Sequence, residues 1–166
     1  MALAAAELVI DALEDRGVYE GRGLKINALM GLWSNHHHVV TLEDSGIESV
    51  YDLAGKRVGV GAIGSGSETA FKQMLEWHGM SYDDIREQFL TFGESTEAMK
   101  DGHLDATFLR TAYPATALVN LAFTHDIKLI SLDKEVIKEK LKENPAFFED
   151  VIPAGTYEGV DQDIYT

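Results

Sequence analysis

A run of glycines between a strand-like and a helix-like segment is where this sequence first spells out chemistry. Lys56-Arg57-Val58-Gly59-Val60-Gly61-Ala62-Ile63-Gly64-Ser65-Gly66-Ser67-Glu68 holds a literal G-x-G-x-x-G in Gly59, Gly61 and Gly64, the signature of a dinucleotide-binding turn. Glu94 follows the next strand, roughly where a ribose-binding carboxylate would stand. In that fold, however, the third glycine lies within the first helix. Here Ser65 and Glu68 form an S-x-x-E capping box, which starts the helix after all three glycines. Gly59 also lies inside the strand, between Val58 and Val60, and no second mononucleotide half follows. The same atoms suit another chemistry. A helix N-terminus offers unpaired N–H groups and partial positive charge, so it holds a carboxylate without any lysine. Gly64 and Gly66 let a ligand approach the backbone, and Ser65 and Ser67 add hydroxyls. The plain alternative is that Ser65 caps its own helix and the glycines only turn the chain.

Arg110-Thr111-Ala112-Tyr113 follows the strand Asp105–Leu109. Ligands of open α/β sheets lie beyond the carboxyl ends of strands, so Arg110 is placed to fork onto a carboxylate. A solvated surface arginine is the bland reading. Thr111 joins it as a candidate, and Tyr113 and Phe108 are candidate pocket walls, Phe108 equally a core residue. In His36-His37-His38 the outer two share a strand face. Two ligands without a Cys or a carboxylate pattern are too few for a metal, so no metal or other cofactor is expected. His38 and Asn35 remain candidates to touch a solute. Trp33 and Trp77 read as packing residues. No G-x-S-x-G or H-E-x-x-H constellation occurs, and binding rather than catalysis is expected.

The elements that must position these groups alternate. Residues 2–15 read as a helix, closed by Gly17, and Leu24–Leu32 and His37–Leu42 as strands. Ser49…Asp52 and Ser81…Asp84 look like capped single turns. From residue 55 onward come a strand at Arg57–Val60, a helix at Glu68–His78 and a strand at Gln88–Phe92. A helix at Ser95–Lys100, the strand Asp105–Leu109, a helix behind Pro114 at Ala115–Ala122, a strand at Ile127–Ile130 and a helix at Lys134–Glu143 complete the series. Such alternation predicts an α/β sheet of parallel strands. Residues 1–52 and about 150–166 read as pieces of a second sheet.

The chain of 166 residues is acidic, with 28 Asp and Glu against 14 Lys and Arg and a formal net charge of −14. That balance opposes nucleic acid and anionic membrane surfaces as partners. An anion site here must therefore be built locally. There is no cysteine, which excludes disulfides and thiol chemistry. No stretch reaches the ~20 apolar residues of a membrane span. The opening, MALAAAELVIDALEDRG, has no basic n-region and is broken by Glu7, Asp11, Glu14 and Asp15. As written, the chain is expected to stay in the cytoplasm.

DSGIESVYDLAGKRVGVGAIGSGSE, EAMKDGHLDATF, THDIKLISLD and IPAGTYEGVDQDIYT, in that order between Ser45 and Thr166, resemble the TAXI family of TRAP-transporter solute receptors. The resemblance implies a type II periplasmic-binding-protein fold, in which two α/β lobes close over a small carboxylate such as glutamate and a membrane permease receives it. On that template residues 1–54 are a partial first lobe and hinge, 55–133 a complete second lobe, and 134–166 a helix and return segment. It implies an extracytoplasmic or periplasmic setting, and a site at Gly64–Ser67 together with the loop after Leu109. The chain departs from the family in starting beyond most of the first lobe. Ala5 and Ala6 stand where relatives have a Gln-Ser-Asp run, and Arg110 to Tyr113 replace small residues. Two alternatives stand beside this reading: a Rossmann-like NAD-binding oxidoreductase fragment using Gly59, Gly61 and Gly64, or a truncated oligomeric relic without ligand, a homo-oligomer in which a second copy completes the sheet.

Overall fold

The periodicity from residue 55 onward is realised as one layered α/β unit. The computed structural model describes residues 5–27, 29–31, 33–144 and 146–166. Its elements are α1 (Ala6–Leu13), β1 (His36–Leu42), β2 (Arg57–Gly59), α2 (Gly66–Trp77), β3 (Arg86–Gln88), α3 (Phe92–Lys100), β4 (Ala106–Thr111), α4 (Thr116–Ala122), β5 (Ile127–Ile130) and α5 (Lys134–Leu141). A short pair, β6 (Val151–Ile152) and β7 (Ile164–Tyr165), ends the chain. Residues 2–4 of the expected first helix, and Ala28 and Leu32 of the expected strand Leu24–Leu32, lie outside the described residues. The rest of that strand is irregular coil, with Leu24, Leu29 and Met30 exposed. Its apolar side chains find no sheet face to cover.

The five-stranded sheet has the order β3-β2-β4-β1-β5. β2 runs parallel to β3 and β4, as expected. β1 does not: it lies antiparallel between β4 and β5. The sheet is therefore mixed rather than parallel. β1, which falls within the span read as a partial first lobe, belongs to the same sheet as the strands of 55–133. The physical reason lies in its composition. The first six of its seven residues are buried, and a strand covered on both faces belongs inside a sheet flanked by helices.

Two apolar layers cover the sheet. On one face Val39, Val58 and Phe108 pack with Phe71 and Met74 of α2 and Ile137 of α5. On the other, Val40, Leu109 and Leu129 pack with Met99 of α3 and Leu118 of α4, joined by Ile152, Tyr157 and Ile164 from the tail. Local caps set the helix starts. Thr91 and Glu94 form a reciprocal capping box on α3, and Asp133 accepts from the N–H groups of Glu135 and Val136 on α5.

Gly59 is a packing requirement. A Cβ there would stand 2.7 Å from Ser95 Oγ and 2.8 Å from Thr107 Oγ1, both on fully buried residues. Gly59→Ala should therefore destabilise the fold by about 1–3 kcal/mol through overpacking. Urea denaturation measures it, and an unchanged midpoint would show that the β2–α3 contact is not tight.

Candidate functional site

Because β1 opposes β4, the amino end of one meets the carboxyl end of the other. His36 pairs with Thr111, His37 with Arg110 and His38 with Leu109. Directly opposed residues share a face. Arg110 and His37 thus lie on the side of Phe108 and α2, and His38 on the side of α3 and α4.

Arg110 does not reach solvent as a surface arginine would; its side chain is 11% exposed. The guanidinium forks onto the carboxylate of Glu7 in α1. Nη2 donates to Oε2 at 3.0 Å and Nη1 donates to Oε1, the bidentate geometry in which arginine binds carboxylates most strongly. The Phe147 ring centroid lies 5.8 Å from the guanidinium carbon, within cation–π range. Burial pushes the Glu7 carboxyl up, but the Arg110 hydrogen bonds and charge outweigh it and hold it below its ordinary value. The pair borders a cavity of about 740 Å³ between α1, the segment before β1, Trp77, α5 and Phe147, a size that takes a small organic molecule.

The three histidines have separate roles. His36 Nε2 lies 2.9 Å from Asp150 Oδ2, a contact that holds the Asp150 carboxyl below its ordinary range. His37 is pushed down to about 3, by burial first and then by the positive charge of Arg110, so it is neutral at pH 7. His38 donates from Nδ1 to the His36 carbonyl at 3.1 Å. Its Nε2 therefore accepts from the Tyr157 hydroxyl at 3.0 Å, while that oxygen accepts the Ala115 N–H at 2.9 Å.

These contacts sort the candidates read from the sequence. Arg110 lines the cavity, with Asn35, His36 and the packing candidates Trp33 and Trp77 beside it. His38 is fully buried and both its nitrogens are satisfied within the protein, which leaves nothing for a solute. Phe108 is a core residue, packed on Phe71 with ring centroids 5.1 Å apart. Thr111 ends β4, and Tyr113 stands edge-on to His36 at 4.5 Å; neither borders the cavity. Glu7, Phe147 and Asp150 were missed. Glu7 is 103 residues from Arg110 in the chain, and no local pattern marks such a partner.

Gly64, Ser65, Gly66 and Ser67 form the start of α2 and do not border the Arg110 cavity. Ser65 Oγ accepts the Glu68 N–H at 3.2 Å, as the capping motif predicts. The Glu68 carboxylate does not return the favour and instead accepts from Tyr82 at 3.1 Å. The features of a dinucleotide site are absorbed by the fold. Gly59 fits against Ser95 and Thr107, the helix begins after the glycines, and the Glu94 carboxylate caps α3 through Thr91.

A family model, that of the NMT1-like family, matches residues 1–166. The chain belongs to the NMT1-like family. Among solved structures, this NMT1-like chain is similar to the periplasmic aliphatic sulphonate binding protein SsuA from Escherichia coli, with 22% identity and a TM-score of 0.49, over 58% of this chain and 29% of that one. It is similar to a periplasmic sulfonate-binding protein SsuA from Methylobacillus flagellatus KT, with 23% identity and a TM-score of 0.47, over 58% of this chain and 27% of that one. It is also similar to the arginine-bound form of truncated ArgBP from T. maritima, with 23% identity and a TM-score of 0.45, over 68% of this chain and 57% of that one. The chain thus spans between 27% and 57% of the length of these three structures. Among the described residues, no helix is long and apolar enough to cross a membrane.

The buried histidines set a pH dependence for this family member. His37 and His38 lie below the ordinary 6.5, at about 3 and about 4, so the unfolded chain takes up protons that the folded one refuses. Their stabilisation is complete above pH 6.5 and is lost as pH falls toward those values, at about 1.4 kcal/mol per unit for each. The melting temperature should fall steeply from pH 7 to pH 5. His38→Gln should flatten that slope. A melting temperature independent of pH across this range would contradict the neutral, buried assignment.

Proposed function

We propose that this chain is part of a solute receptor of the TRAP-transporter type. It captures a small organic carboxylate, glutamate included, and passes it to a membrane permease in an extracytoplasmic setting without turning it over. The observation that carries this reading is Arg110: a buried guanidinium at the carboxyl end of β4, facing a cavity and already holding a carboxylate in a bidentate fork. The end of the sheet where β4 finishes is where open α/β sheets take ligands. Membership of the NMT1-like family and the Ser45–Thr166 motifs support the same class. The α2 start at Gly64–Ser67 is a second anion-holding element, outside this cavity.

Capture without chemistry needs only complementary charge and shape, and Arg110 provides the former. The chain carries a net charge of −14, so long-range attraction does not draw anions in. Affinity has to arise once the carboxylate has shed water against the guanidinium, where the interaction is much stronger than at an exposed surface.

A thermal-shift panel of glutamate, glutamine, 2-oxoglutarate, succinate, phthalate and NAD tests the proposal. A ligand at 100 times its dissociation constant adds about 2.7 kcal/mol of stability. At least one carboxylate should raise the melting temperature, NAD should not, and Arg110→Met should abolish the shift. A shift with NAD alone would sink the receptor reading.

A further inference from the structure

We propose that Glu7 is a displaceable internal carboxylate, held on Arg110 in place of an external monocarboxylate with an apolar body that enters by expelling it. This rests on the receptor reading above and adds to it the class of ligand and the means by which the site is kept closed. The fork itself is the first observation. Glu7 presents both oxygens to both terminal guanidinium nitrogens, as a free carboxylate would, so α1 fills the anion position from within.

The element that carries Glu7 is weakly anchored. α1 is an eight-residue helix whose start at Ala5 has no side-chain cap, and Ala12 is its one buried residue among those described. Helices this short are marginal without tertiary support. Polar groups beside the pair are left without partners. His36 Nδ1 and Arg110 Nε are buried and unpartnered among the described residues, and His36 is only 8% exposed. Unpaired buried polar atoms are costly, so the closed arrangement around Arg110 and His36 is imperfectly satisfied.

The walls define the rest of the ligand. Ile10, Trp33, Trp77, Ile137, Leu141 and Phe148 line the cavity, a largely apolar surface. Arg110 is the one Arg or Lys among its described lining residues. One cation and an apolar wall favour a single carboxylate on an aromatic or branched aliphatic body, which binds more tightly than glutamate or the dicarboxylates that the receptor reading also admits. A tethered competitor acts at millimolar effective concentration, so Glu7 weakens such a ligand without abolishing its binding.

The only two tryptophans of the chain, Trp33 and Trp77, both line the cavity, so their fluorescence reports its occupancy. Phenylacetate is titrated into the wild-type chain, Glu7→Ala, the near-isosteric Glu7→Gln and Arg110→Met. The expected result is binding to Glu7→Ala and Glu7→Gln at least about tenfold tighter than to wild type, and none to Arg110→Met. Acetate, but not chloride at equal ionic strength, should restore the melting temperature lost in Glu7→Ala. Equal affinity in wild type and both Glu7 variants, still dependent on Arg110, would overturn the internal-ligand proposal and leave capture at Arg110 standing. No fluorescence response in any variant, with no acetate rescue, would remove the Arg110 site altogether. A carboxylate shift in the thermal panel under those conditions would then mean a receptor that binds elsewhere.

Discussion

β1 runs against both its neighbours as an interior strand of a sheet covered on both faces, and its first three residues are histidines that end up buried. A central strand normally brings apolar side chains to such a place. Here each histidine must find a partner for groups that water would otherwise satisfy. The partners come from the end of the chain. Asp150 meets His36, and Tyr157 meets His38. Thr166 Oγ1 accepts the His37 N–H at 2.7 Å and donates to the His37 carbonyl at 2.9 Å. The last seventeen residues, rich in turns and poor in regular structure, are thereby fixed to the strand at the centre of the fold. The same arrangement explains why Tyr157 is buried in a segment that otherwise looks like surface loop.

What the sequence revealed and what it hid divide along the range of the interactions. Ser49 with Asp52 and Ser81 with Asp84 bond across three residues and are visible as short patterns, whereas the Thr91–Glu94 box falls on residues read as the end of the strand Gln88–Phe92 and as a ribose-binding carboxylate. The single turns that Ser49 and Ser81 start could be located for that reason. The position of β1 was not visible in this way. Its β-branched run announces a strand, but nothing local says that Val39 will pair with Phe108 on one side and Ile130 on the other, with both partners antiparallel. The G-x-G-x-x-G pattern is the reverse case, a local signal whose meaning is set by distant residues. Gly59 is required by Ser95 and Thr107, which arrive from α3 and β4, and a pattern match cannot see them.

The site was half legible for the same reason. Arg110 follows from its place at the end of a strand, because sheets expose that end. Its occupation by Glu7 does not, since an acidic residue on an amphipathic helix near the start of the chain resembles many others. Glu7 converts an arginine that looks solvent-facing into a largely buried, charge-paired group at the end of β4.

On the proposed receptor reading, an acidic protein that holds an anion faces an electrostatic conflict, and a buried arginine answers it by position rather than by number of charges. With twice as many acidic as basic residues, a surface lysine would be surrounded by competing carboxylates and screened by salt. Burying one arginine at the junction of β4 and β1 removes it from both. Burial in turn demands a counter-charge, because an unpaired guanidinium in that place would cost far more than the fork returns. The neutral state of His37 comes first from its burial and then from the positive charge of Arg110 beside it, which a protonated imidazole would oppose. The cavity thus carries one arginine, the Glu7 and Asp150 carboxylates and largely apolar walls, and under the internal-ligand proposal a carboxylate that replaces Glu7 keeps a counter-charge on Arg110.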